Sequence, residues 1–103
     1  MDTDITKQIK EMVYVSMYGT NWKDLDRNVD KVANQIIGEL SQESKEYMIK
    51  NPRPVEYHFS LGLYIRNNYI YNSKEFGNCY RVDDISSKII KRIIDKLTEE
   101  NTD

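Results

Sequence analysis

Residues 55–71, VEYHFSLGLYIRNNYIY, decide how this chain is read. On a helical wheel only Glu56, Ser60 and Asn67 make a polar stripe, and apolar or aromatic side chains fill most of the remaining circumference. That pattern predicts a central helix over about 54–71, touched on several sides. Its start is set by Asn51-Pro52-Arg53-Pro54: the residue before a proline disfavours the α region, whereas Pro54 suits a first helical turn. Tyr57, Tyr64 and Tyr71 recur every seven residues, a spacing read as rings buried and hydroxyls wet rather than as an aromatic platform for a ligand.

His58, Gly62 and Arg66 follow one another at i, i+4 and i+8, one row that lies inside the apolar arc. Two polar side chains are therefore expected to point inward. Glycine in a helix interior costs about 1 kcal/mol relative to alanine, so Gly62 is expected where another helix crosses closely. A desolvated arginine needs a carboxylate, and Asp83 and Asp84 are the expected partners, held ionised at the start of a last helix.

Outward from this segment the remaining elements read as helices. Residues 4–18 place Ile5, Ile9, Met12, Val13 and Ser16 on one face, with Gly19 at the C-terminal cap. The β-prone run over 12–18 leaves a small strand as the alternative there. Asp24 is expected to cap a second helix whose apolar arc runs from Leu25 to Leu40. Ser41 or Ser44 caps a short third one over 42–49. Residues 72–81, NSKEFGNCYR, read as a loop, with a small hairpin as the alternative. Asp83 or Asp84 then caps the last helix, which carries Ile85, Ile89, Ile90, Ile93, Ile94 and Leu97 on one face. Residues 98–103 lack an apolar anchor and are expected to fray. The fold class is all-α, a compact bundle of about five helices.

Composition narrows the function. A chain of 103 residues is one domain's worth, so 1–103 is read as a single domain. Hydrophobic residues make up 39% and charged residues 31%, enough apolar surface for a modest core. Fifteen Lys and Arg against 17 Asp and Glu give a net charge of −2, with no dense basic block, so no DNA or RNA partner is expected. The basic side of the last helix, Lys88, Lys91, Arg92 and Lys96, is diluted by acids and read as a solvated face. One cysteine, Cys79, and one histidine, His58, supply neither an internal disulfide nor an ordinary zinc site, so no metal or cofactor is expected. Arg81 is the basic residue close enough in sequence to activate the Cys79 thiol. With no apolar run of ~18 residues and no leader-like N-terminus, a cytoplasmic protein away from the membrane is expected.

The segment from His58 to Asn68, followed by Asp83-Asp84-Ile85-Ser86, resembles a small bacterial and phage domain of unknown function whose pattern is His-Phe-x-x-Gly-x-x-Ile-Arg-Asn and then Asp-Asp-x-Ser. Trp22, Leu25 and Glu39-Leu40-Ser41 fit its opening, so the resemblance covers about 22–97 and leaves 1–21 as an added N-terminal helix. This chain departs from the pattern at Arg81-Val82, where the family carries His-Pro. The resemblance implies an all-helical fold and no activity.

His58, Arg66, Asn67, Asp83, Asp84 and Ser86 form the candidate polar cluster. No nucleophile, phosphate loop or metal set accompanies them, so no catalytic residue is assigned. The expected function is a non-enzymatic module that binds a partner protein, as an inhibitor, immunity or phage anti-defence protein does. The alternative is an anion or nucleotide binder, or an enzyme, in which Arg66 holds the anion and Asp83 or Asp84 orients His58 as base. Burial separates them: a sealed cluster is scaffold, and an open one is a ligand site.

Overall fold

The computed structural model describes residues 2–71, 73, 76 and 81–100. It is all-α: α1 (Asp2–Tyr18), α2 (Trp22–Glu39), α3 (Gln42–Lys50), a 3-10 turn (Pro54–Tyr57), α4 (Leu61–Ile65), a π turn (Arg66–Ile70) and α5 (Val82–Glu100). Among the described residues there is no strand, and 12–18 is helix throughout. Most of the loop that held the hairpin alternative, Cys79 included, lies outside the described residues, as do residues 101–103 of the tail. Residues 98–100 do not fray; they complete α5, where the Thr98 hydroxyl donates to the Ile94 carbonyl at 2.8 Å.

The helix ends follow local chemistry. Gly19 closes α1 at φ 75°, a left-handed conformation that suits a residue without a Cβ, and its N–H donates to the Val15 carbonyl at 2.7 Å. The cap of α2 is Asn21 rather than Asp24: the Asn21 side-chain oxygen accepts from the Asp24 N–H at 2.9 Å, and its amide donates to the Asp24 carboxylate at 3.0 Å. Asp24 thus sits in the first turn, where its charge favours the helix. Ser41 caps α3 as expected, accepting from the Ser44 N–H at 3.1 Å. Val82 opens α5, with Asp83 and Asp84 inside its first turn rather than at its cap.

The expected helix over 54–71 is broken into three geometries, and it is not the centre. Pro54 starts a 3-10 turn, Ser60 leaves the helical region at φ −107° and ψ −87°, and the chain re-enters helix at Leu61. From Arg66 it widens into a π turn, closed by the Tyr71 N–H donating to the Arg66 carbonyl at 3.0 Å. The wider turn brings residues five apart onto one side, and Ile65 and Ile70 are accordingly both buried. At 100° per residue a wheel cannot show that change of period. Val55, Phe59, Leu63, Tyr64 and Tyr71 are exposed instead of enclosed.

The central element is α5, which packs against α2, α3, the 3-10 turn, α4 and the π turn. Ile85, Ile89, Ile90, Ile93, Ile94 and Leu97 are all buried, a wide apolar arc that one neighbour alone cannot cover. Opposite them lie Leu25, Val29, Val32, Ala33 and Ile36 of α2, Met48 of α3, and Phe76, which local sequence placed in a loop. A charged seam runs beside this core. Arg92 binds Asp26 at 2.5 Å and Asp30 at 3.1 Å, and Lys96 binds Asp30 at 2.8 Å, so half of the expected solvated basic face ties α5 to α2. The Lys96 and Arg92 contacts hold the Asp30 carboxyl below its ordinary pKa.

Helix α1 stands apart. It reaches the body through Tyr14 and Tyr18, whose rings lie 4.5 Å apart at a 38° tilt and pack against the core. Its apolar face, Ile5, Ile9, Met12 and Val13, is exposed. The radius of gyration is 15.3 Å, above the roughly 13 Å of a compact chain this long.

Candidate functional site

The polar cluster is built around Arg66. Gly62 of α4 and the turn that follows Tyr57 leave a narrow slot beside α5, and the guanidinium enters it. Arg66 is 7% exposed. Its Nη1 donates to the Ser86 hydroxyl at 3.1 Å and its Nη2 to the His58 backbone carbonyl at 3.2 Å. The Nε faces an Asp83 carboxylate oxygen at 3.6 Å, too long for a good hydrogen bond but close enough for charge pairing. Ser86, fully buried, donates in turn to the Asp83 carbonyl at 2.9 Å. The serine therefore relays between an arginine donor and a backbone acceptor, and the arginine's donors are directed at groups of this same chain.

Gly62 has a different role from the expected helix crossing. A Cβ there would stand 3.0 Å from Arg66 Nη1, 3.2 Å from the Tyr57 carbonyl oxygen and 3.6 Å from Ile90 Cδ1. The close approach comes from the segment's own guanidinium and turn carbonyl. The crossing helix α5 contributes one side-chain contact.

Three residues of the expected cluster lie elsewhere in chemical terms. The His58 imidazole is not part of the arginine's network: the ring meets Phe59 edge-on at 4.8 Å, and only the His58 carbonyl joins. Because the segment turns at 58–60, His58 drops out of the row that Gly62 and Arg66 still share. Asp84 pairs with Arg81 at 3.9 Å and accepts from the Tyr18 hydroxyl at 3.4 Å. Asn67 is exposed on the opposite side of the π turn. An acid–base set of His58 with an aspartate is thus not assembled, since Asp83 serves Arg66 and Asp84 serves Arg81 and Tyr18.

A second polar feature escaped the sequence reading. The Tyr64 hydroxyl donates to Glu39 Oε2 at 2.8 Å and the Tyr69 hydroxyl donates to Glu39 Oε1, clamping the end of α2 to α4 and the π turn. The Tyr69 and Tyr64 hydrogen bonds hold the Glu39 carboxyl below its ordinary value of 4.5, while burial and then Glu39 push the Tyr69 phenol up. The sequence signal was weak, because nothing in a tyrosine's spacing names an acceptor 25 or 30 residues away.

A lowered carboxyl pKa has a definite linkage sign. The stability that this clamp contributes is fully present above pH 4.5, the ordinary value, and is lost as pH falls through the lower folded value. Glu39→Gln is expected to lower the Tm slightly at neutral pH, with the two melting curves converging under acid. A gap between the two proteins that stayed constant down to acid pH would show that the carboxylate charge contributes nothing.

Concave surfaces lie elsewhere too, a larger one of about 630 Å³ between α1 and the start of α2. A groove of about 460 Å³ opens between α3 and residues 57–64, lined chiefly by Leu40, Tyr47, Met48, Tyr57, Leu61 and Tyr64. Of the tyrosine row only Tyr57 buries its ring as expected, and the hydroxyls of Tyr57 and Tyr64 bond to protein groups instead of water, that of Tyr57 to the Asn51 carbonyl at 2.6 Å. Tyr71 does not reach the groove. Among the described residues no group of three or more His, Cys, Asp or Glu is placed to hold a metal ion, and no helix is long and apolar enough to cross a membrane.

Comparison with protein-family models, curated proteins and solved structures finds no match to this chain.

Proposed function

We propose that this chain is a small binding module whose partner is another protein, and that its working surface is the tyrosine-lined groove between α3 and residues 57–64. The observation that carries the reading is the contrast in burial. Arg66, the group that a small anion would need, is 7% exposed with its donors bonded internally, whereas the groove is open and apolar. Tyrosines around an apolar floor are characteristic of the centre of a protein interface, because each supplies a large rigid face and a polar tip. Glu43 and Ser44 on the rim favour a partner that presents an apolar side chain beside a lysine or arginine. Inhibitor, immunity and anti-defence proteins are the kinds of binding module meant.

Affinity capture from the native host, run with the natural chain and with Tyr47→Ala plus Glu43→Lys, tests this. Both positions are exposed, so the fold is expected to be unchanged in the variant. The expected result is one partner retained by the natural chain and lost by the folded variant. A partner retained equally by both would move the interface away from the groove. Saturable binding of phosphate or a nucleotide that disappears with a folded Arg66→Lys chain would favour the ligand-site alternative.

A further inference from the structure

Helix α1 turns its apolar stripe away from the protein. Tyr14 and Tyr18 face the core, and Ile5, Ile9, Met12 and Val13 lie on the opposite side, between 52% and 68% exposed. An amphipathic helix ordinarily docks by that stripe. Here the docking is done by two tyrosines at the C-terminal end, and residues 5–13 are exposed. Most helical stability in proteins comes from packing an amphipathic face, and over residues 5–12 of this 17-residue helix that face is exposed.

We propose that the cover is a second copy of this chain, joined through α1 in an antiparallel two-fold pair. Four observations select this occupant. Ile5, Ile9, Met12 and Ser16 recur at spacings of four, three and four, the seam by which one helix packs along another. Gln8, Val13 and Val15, which flank the seam, are uncharged, so a copy brought alongside meets no like charge there. The stripe continues over Val15 to Trp22, 55% exposed at the head of α2, across a concavity that Glu11 and Lys23, of opposite charge, also line. With that tryptophan included, a symmetric pair covers on the order of 1,000 Å², the lower limit for a specific association. The antiparallel sense follows from the body being attached at the C-terminal end of α1: a parallel pair brings two bodies together, whereas an antiparallel pair sets them at opposite ends of a helix about 25 Å long. A membrane surface fits less well, because the described charges of α1 are Lys7, Lys10 and Glu11, and Asp2 and Asp4 offset both lysines.

The surface is separate from the groove, so this inference stands or falls independently of the partner-binding reading. The test is the mass of the purified chain by sedimentation equilibrium, with Ile9→Glu, Met12→Glu and the groove variant Tyr47→Ala alongside. The expected result is twice the 12.2 kDa chain mass at micromolar concentration for the natural chain and for Tyr47→Ala. Both α1 variants are expected to run as monomers with the cooperative thermal transition of the body retained and some helical signal lost. A natural chain that stays monomeric up to high micromolar concentration overturns the proposal; if that monomer sediments with anionic phosphatidylserine vesicles, a membrane is the occupant instead. A dimer that survives both glutamate substitutions also overturns it, because the pairing then uses another face.

Discussion

Replacing Arg66 with alanine is expected to lower the unfolding free energy by about 3 kcal/mol, through lost packing and one orphaned carbonyl rather than through a broken ion pair. The reason lies in how unequally the two charges are buried. The Arg66 side chain is 9% exposed and the Asp83 side chain 71% exposed, so removing the arginine leaves the aspartate in water and strands no buried charge. What is lost is the side chain filling the slot beside Gly62 and the donor to the His58 carbonyl. Ser86 keeps its bond to the Asp83 carbonyl and is spared. Arg66→Met, which refills the slot without the donors, is expected to recover roughly half of the loss, and Asp83→Ala, which takes the counter-charge from a buried guanidinium but leaves its two hydrogen bonds, to cost about 2 kcal/mol, between an exposed pair and a fully buried one. Chemical denaturation of the three variants checks the order. An Asp83→Ala chain as unstable as Arg66→Ala would show that the ion pair, and not burial, holds this corner.

The second large effect is expected at Gly62. Alanine normally stabilises a helix relative to glycine by about 1 kcal/mol. At this position it meets the Tyr57 carbonyl, which is backbone, and an arginine tip held by Ser86. Neither is free to move by the few tenths of an ångström required, so Gly62→Ala is expected to destabilise and Gly62→Leu to cost roughly 3 kcal/mol by overpacking. A double-mutant cycle makes the mechanism specific. With Arg66→Ala in place the guanidinium contact is gone, and the cost of Gly62→Ala is expected to shrink to what the Tyr57 carbonyl contact leaves. Strict additivity of the two substitutions would mean that Gly62 and the guanidinium do not share the slot, and that the carbonyl contact alone sets the cost.

Much of this fold is legible in the sequence where one period holds over a long run. The apolar arcs of α2 and α5 predict buried faces that the structure shows, residue for residue from Leu25 to Ile36 and from Ile85 to Leu97. Legibility fails where the period changes. Over residues 54–70 a 3-10 turn, α4 and a π turn succeed one another, so a single wheel kept Gly62 and Arg66 together but wrongly added the His58 imidazole and enclosed Phe59. It fails again where amphipathicity is real but unpartnered: the stripe of α1 is plain in the sequence, yet whether it faces the core depends on Tyr14 and Tyr18, which win that side. The Arg66–Asp83 pair was legible because a buried charge demands an opposite one. Choosing between Asp83 and Asp84 was not, since that depends on the first turn of α5 starting at Val82.

The most direct measurement is the Nε–H resonance of Arg66 in a nitrogen-15 spectrum, assigned by its loss in Arg66→Met, recorded as inorganic phosphate and then ATP are added. A guanidinium that fixes the fold is expected to give a sharp, slowly exchanging signal that millimolar phosphate or ATP leaves in place. A saturable shift of that signal with either anion, in a protein whose melting temperature rises with it, would contradict a sealed scaffold and make Arg66 a ligand site.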